Sequence, residues 1–169
     1  MRRNESVTSF EAAAEAHLDD VFGYLLYMTG NRGAAEDLAA ETFERAFRLW
    51  HRFDERRGSA RTWLCQVART TALDHVRSER RRARREQLYS LGLPEADEPR
   101  FAEGLSPALD RALGRLSAGE REVIVLRIVL ELDGPAAART LGISPTACST
   151  KLSRALKKLE EALSDDVAA

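Results

Sequence analysis

Cysteine is scarce. Two thiols in 169 residues, Cys65 and Cys148, sit far apart on apolar helical stripes. Small buried thiols fit that placement better than a disulfide or a metal pair. Long apolar runs are missing as well. Nothing approaches the roughly 18 residues needed to cross a bilayer. The opening MRRNESVTSFEAAAEAH lacks the apolar stretch of a secretory signal. No membrane segment and a cytoplasmic location are therefore expected. Glycine and proline are rare inside the periodic segments, and no segment alternates apolar with polar residues as a half-buried strand would. This excludes a β-rich fold and leaves an all-α chain. Lysine is nearly absent too: three of 26 basic residues, the rest arginine. The three histidines, His17, His51 and His75, are scattered. No nucleophile–base pair, phosphate-binding loop or metal-ligand cluster can be assembled, so no catalytic residue, metal or cofactor is expected.

What is present is charge, and it is segregated. The net charge of −1 hides −4 over residues 1–51, +6 over 52–86, −3 over 87–106 and zero over 107–169. Six of the nine positions from Arg77 to Arg85 are arginine. A polyanion-binding protein needs one basic surface, not a basic composition. The acidic first quarter must then face something else.

The periodicity predicts two small helical lobes, 8–86 and 107–164, joined by a linker over 87–106 and followed by a tail, 165–169. Thr8 with Glu11 reads as a capping box for a first helix with the stripe Phe10, Ala14, Leu18, Val21, Phe22, Leu25 and Leu26, ended by Gly30. A second helix after Asn31 is expected to bury Leu38, Thr42, Phe43, Ala46, Phe47 and Trp50. FDERRGS is a loop. Ser59 caps a third helix that buries Trp63, Leu64, Val67, Ala68, Thr71, Ala72, His75 and Val76 and then runs into the arginine block. Residues 87–106 lose the period, hold prolines and glycines, and read as a tether. Ser106-Pro107 opens the second lobe as an N-cap with proline at the first helical position. Ser117 with Glu120 forms another capping box. GPAAARTLGISPTACSTKLSRALKKL then has the arrangement of a helix-turn-helix: small Ala138 at the approach, Gly142 at the turn, Ile143 plugging the angle, Ser144 capping the last helix. Its outward face would present Ser144, Thr146, Ser149, Thr150, Lys151, Ser153 and Arg154 to a major groove. An ordinary helical hairpin is the other reading.

The motifs AEDLxxETFxRAF, RTWLxxVAR with ALDHVR, and LSxxEREVxxLR with LGIS and KLSRA occur in that order. Together they resemble regions 2 and 4 of bacterial sigma factors of the extracytoplasmic-function group, in the sigma-70 family, and span nearly the whole chain from Phe10 to Leu163. The resemblance implies an RNA polymerase subunit that finds and opens promoters. It assigns Asp37, Leu38, Glu41, Thr42, Arg45 and Arg48 to the β′ coiled coil of core polymerase. It assigns Arg56, Arg57 and Ser59, with Arg61, Thr62, Arg69, Thr70 and Asp74, to the melted non-template strand and adjoining duplex of the minus-10 element. Arg77, Arg80 and Arg81 would lie along phosphates, where counterion release makes binding salt-dependent. A solvated tail is the competing reading for the last arginines of the block. Trp63 either stacks on a base or is buried on its stripe. The helix-turn-helix would read the minus-35 element while its lobe sits on the β flap.

The chain departs from the pattern in places. Cys148-Ser149-Thr150 stands where relatives commonly begin the recognition helix with a basic residue. Pro135-Ala136-Ala137 replaces acidic and larger apolar residues, and Ala40 replaces a frequent glutamine. A sigma-like helix-turn-helix regulator that does not programme polymerase is therefore the alternative function. The resemblance also implies an anti-sigma protein as a partner. The terminal Ala168-Ala169 resembles tags gripped by ATP-dependent proteases, or is simply a frayed end.

Overall fold

The computed structural model describes residues 9–86 and 99–168, with side chains through Asp165; these residues form helices and no strand. The all-α expectation holds. In the first lobe, α1 (Phe10–Thr29), α2 (Arg32–Leu49) and α3 (Ala60–Glu86) pack on one another. Ser9, not Thr8, caps α1: its hydroxyl accepts from the Ala12 amide at 3.2 Å. Thr8 lies outside the described residues. Asn31 caps α2 through the Ala34 amide at 2.9 Å.

The core is built from Val21, Tyr24 and Leu25 of α1, Ala35, Leu38 and Ala46 of α2, and Leu64, Cys65 and Ala68 of α3. The inward face of α2 is mostly alanine, so the helices approach closely and larger side chains are left at the rim. Two expected core residues are consequently outside: Leu18 is 51% and Phe47 60% exposed. Phe43, Trp50, Trp63, His75 and Val76 are half-buried rather than sealed in.

Gly30 turns the corner between α1 and α2 in the left-handed region, φ 63°, its amide donating to Leu26 at 2.8 Å. A Cβ there would come within 2.9 Å of both the Phe101 ring and Pro99. At this corner the end of the expected tether touches the first lobe: the Arg100 amide donates to the Gly30 carbonyl at 2.8 Å, and Phe101 is buried. The reason is the phenylalanine, an apolar ring that gains by leaving water. Residues 87–98 lie outside the described residues.

Single 3-10 turns at Trp50–Arg52 and Glu55–Arg57 lead to Ser59, whose hydroxyl accepts from the Thr62 amide at 3.2 Å and starts α3. α3 continues unbroken to Glu86, and every residue from Arg77 onward is exposed. The arginine block is therefore helix, not tail.

The second lobe comprises α4 (Pro107–Gly114), α5 (Ala118–Ile124), a π turn over Val125–Val129, α6 (Gly134–Leu141) and α7 (Pro145–Ala168). Ser106 caps α4 with proline following, and Ser117 and Glu120 form the reciprocal capping box. Gly142 makes the left-handed turn, φ 67°, and Ser144 accepts from the Ala147 amide at 3.1 Å. Leu113, Val123, Leu126, Leu141, Cys148 and Ala155 are buried. Ile143 does not plug the helix angle: it is 36% exposed, and Leu141 fills the core instead. The two lobes are in contact, α5 against α1 and α6 against α3. Among the described residues no helix is long and apolar enough to cross a membrane. Ala169 and the side chain of Ala168, the expected protease signal, lie outside what is described.

Candidate polymerase and nucleic-acid interfaces

On α2, Asp37, Glu41 and Arg48 are exposed, with Arg48 3.2 Å from Glu44. Leu38 and Thr42 are buried beneath them and support the face rather than form it. Arg45 is half-buried and donates to Asp74 of α3 at 3.2 Å. Beside this acidic edge lies an open groove of about 380 Å³ with an apolar floor of Leu18, Phe22, Ala39, Ala40 and Phe43. Asp19, Arg32 and Glu36 rim it. Leu18 is thus exposed because it belongs to a groove.

The residues expected at the minus-10 element divide into three groups. Arg77, Arg80 and Arg81 stand on the exposed end of α3, with Arg77 3.6 Å from Asp74. Thr70 is exposed on the same helix, and Arg56 lies exposed in the turn before it. A second group surrounds a pocket of about 220 Å³: Arg57, Ser59 and Thr62 with Arg52, Phe53, Trp63 and Gln66. Trp50 stacks on Phe53 at 4.6 Å between centroids, and Trp63 meets both rings at 5.5 and 5.7 Å. Half-buried, Trp63 serves the core with one side and the pocket with the other. Thr62 is buried, its hydroxyl 3.1 Å from that of Ser59. The third group is already engaged. Arg61 donates to Asp20 of α1 at 2.8 Å, and Arg69 donates to Glu122 at 2.7 Å.

On α7, Ser144, Thr146, Ser149, Thr150, Ser153 and Arg154 are exposed and Lys151 is half-buried. Thr146, Thr150, Lys151 and Arg154 line one shallow depression with Ser117 and Glu120. The Ser144 hydroxyl is spent on capping. Lys158 donates to Glu120 at 2.7 Å; that bond first, and then the Ser117 amide, hold the Glu120 carboxyl below the usual carboxylate range.

The junction between the lobes holds residues that sequence reasoning missed. Tyr24 donates its hydroxyl to Glu122 at 2.7 Å. Burial first, and Glu122 second, push the Tyr24 phenol well above its ordinary pKa. Arg121 donates to the Tyr27 carbonyl at 3.1 Å and to the Leu113 and Leu116 carbonyls, and its guanidinium sits 4.8 Å from the centre of the Phe101 ring. Burial draws the Arg121 pKa down. A signal existed: Glu122 is a carboxylate four residues before Leu126 on an apolar stripe, where only a partnered charge is tolerated. Cys65 is inert, its thiol pushed up to about 12 by burial.

Two family descriptions match the chain, one after the other. Residues 13–82 match the family described as Sigma-70 region 2, and residues 106–159 match Sigma-70, region 4. The chain is 32% identical over 162 residues to the ECF RNA polymerase sigma factor BldN of Streptomyces coelicolor, covering 94% of this chain but only 61% of BldN. It is 32% identical to the ECF sigma factor SigC of Mycobacterium tuberculosis, over 87% of this chain and 79% of SigC. With SigL of the same species it is 30% identical over 98% of this chain and 97% of that protein. In fold it is similar to the sigma factor RpoE of Bartonella quintana, solved with the anti-sigma factor NepR: TM-score 0.78, 21% identity, 94% of this chain and 98% of the other. CnrH, solved with the cytosolic domain of CnrY, gives TM-score 0.66 at 23% identity, over 93% of this chain and 88% of the other. These relatives do not favour a regulator that leaves polymerase alone. Both regions match in order and several relatives share about a third of the sequence, so the chain belongs to the extracytoplasmic-function group of sigma-70 family RNA polymerase sigma factors.

Proposed function

We propose that this sigma factor binds core RNA polymerase through the acidic α2 face and the adjoining groove, and directs it to promoters through α3 and α7. The observation that carries the reading is the pairing, within one lobe, of that acid-edged apolar groove with a fully exposed arginine helix. The first suits a protein helix of basic character, here the β′ coiled coil, where charge complementarity sets orientation and encounter rate. The second suits a phosphate backbone.

The aromatic-walled pocket before α3 takes an unstacked base of the non-template strand, because base capture needs a ring face beside cationic groups. The α7 hydroxyls read duplex at the minus-35 element, and their lobe sits on the β flap. An anti-sigma protein is a further proposed partner; RpoE and CnrH were each solved with a bound regulator or partner domain. Such a protein acts in the cytoplasm as a non-enzymatic initiation factor.

The test is transcription by core polymerase loaded with this chain, with the start sites sequenced. We expect a defined set of promoters, and expect Asp37→Arg with Glu41→Arg to weaken core binding roughly tenfold or more, as reversal of complementary charge does. A chain that ignores core polymerase at low ionic strength overturns the proposal.

A further inference from the structure

The Gln66 side chain has no task in the fold. It is half-buried on α3 and lines the aromatic-walled pocket, yet among the described residues its carboxamide bonds no other group. Only the main-chain carbonyl of Gln66 is used, accepting from the Thr70 hydroxyl at 3.0 Å. A half-buried amide with no protein partner is left to water or to a ligand.

Its placement follows from helical spacing. Ser59, Thr62, Trp63 and Gln66 recur at three- and four-residue steps, so they share the face of α3 that closes the pocket. Arg77 continues that face, five turns beyond Ser59 at 3.6 residues per turn. A strand with one base in the pocket can therefore run on toward the arginines, which begin about 16 Å past Gln66 along the axis.

The other polar groups of the wall are engaged or unsuited to reading a base. Asp54 caps a turn, its Oδ1 accepting from the Arg56 amide at 3.0 Å, and its charge is repelled by a phosphate backbone. The Ser59 hydroxyl accepts from the Thr62 amide at 3.2 Å and lies 3.1 Å from the Thr62 hydroxyl. Arg52 and Arg57 are exposed. A guanidinium suits phosphates or, on a base, the paired acceptors N7 and O6 of guanine. Gln66 is the only carboxamide among the described residues of the wall, an uncharged donor and acceptor side by side. Adenine matches that pair. It shows an N6 donor beside a ring-nitrogen acceptor on both its Watson–Crick and its Hoogsteen edge, and glutamine with adenine is a standard bidentate pairing.

We propose that Gln66 determines which base the pocket accepts, and that this base is adenine. The inference rests on the reading above, in which the pocket takes an unstacked base of the non-template strand. It adds the residue that reads the base and the identity of the base.

The experiment uses core polymerase loaded with the full chain and a fluorescent promoter duplex whose minus-10 segment is held open by mismatches. Each non-template position of that segment carries each of the four bases in turn. We expect one position at which adenine binds about tenfold more tightly than the other three, as a bidentate base contact supplies. Gln66→Met keeps the length of the side chain and removes the amide. It should level the four bases at that position and leave the preferences elsewhere as they were; Gln66→Asn should restore part of the gap. A merely structural role would weaken all strands alike, and that outcome overturns the inference. So does a gap that survives Gln66→Met, a levelled preference for a base other than adenine, or a guanine preference that disappears in Arg57→Ala. A holoenzyme that transcribes from defined starts while failing these tests keeps the sigma factor and removes the role of Gln66. A chain that binds neither core nor the open duplex removes both.

Discussion

The two helices offered to DNA differ in kind. The exposed end of α3 is almost pure charge, six arginines in nine positions. The exposed start of α7 is almost neutral: Thr146, Ser149, Thr150 and Ser153 with Lys151 and Arg154. Arginines laid along phosphates position a protein without reading sequence; hydroxyls on a helix that fits a groove can read base edges. The difference also runs inside α3. Arg61 and Arg69 are the same residue type as Arg80 and Arg81, yet they are held by Asp20 and Glu122 at 2.8 and 2.7 Å. An arginine's role is set by what the fold puts within reach of it, and that is a tertiary fact.

The largest expected effect breaks the comparison at its charged end. Replacing Arg77, Arg80 and Arg81 together by alanine should weaken promoter binding at every sequence. It should also flatten the dependence of log affinity on log salt by about 2 on melted strand and nearly 3 on duplex, from roughly 0.7 and 0.9 per lost phosphate contact. Titration of the polymerase complex across salt concentrations measures it. Arg61→Ala is the control: its guanidinium serves Asp20, so the slope should hold while the melting temperature falls slightly. A slope unmoved by the triple change would detach the arginine helix from DNA.

A smaller effect is expected at the neutral end. Ser149→Ala with Thr150→Ala should leave the salt slope where it was and relax discrimination at one or two minus-35 positions, by about 1–3 kcal/mol for each lost base contact. Binding measured against a set of single-base minus-35 variants decides this. Loss of affinity uniform across all of them would mean that α7 positions the lobe without reading sequence.

The helices and their ends were legible because their signals are local. Ser106-Pro107, the Ser117–Glu120 box, Gly142 and Ser144 each act within one turn, and each sits where the chain said it would. The apolar stripes located the core less well. A stripe says that a side chain is apolar, not that another element covers it. Leu18 and Phe47 therefore stand exposed although their period is correct, and α2 fills its core face with alanine instead. Phe101 was unreadable for the opposite reason: one ring in a short proline-containing stretch carries no period, and the backbone it packs against is that of Gly30, far away in sequence. The candidate DNA face was recognisable by residue type and motif order, but its division into exposed, pocket-lining and lobe-bound arginines was not. That division depends on Asp20 and on a carboxylate contributed by the other lobe.

The smallest expected effect lies beneath the neutral face, where Ser117 and Glu120 close the start of α5. Ser117→Ala removes the acceptor for the Glu120 amide, and loss of such a cap costs about 1 kcal/mol. Glu120→Gln is the sharper probe, because glutamine can still accept from the Ser117 amide, now 2.8 Å from the carboxylate, while giving up the charge that Lys158 meets. The folded state depresses the Glu120 pKa, so the charge contributes stability above the unfolded carboxylate value, about 4.3, and loses it as pH falls through the lower folded value. The parent should therefore melt slightly above Glu120→Gln at neutral pH, and the two curves should converge in acid. Curves that stay parallel down to acid pH would assign the difference to the shape of the cap. The Lys158 ion pair would then contribute nothing to holding the lobe that presents α7.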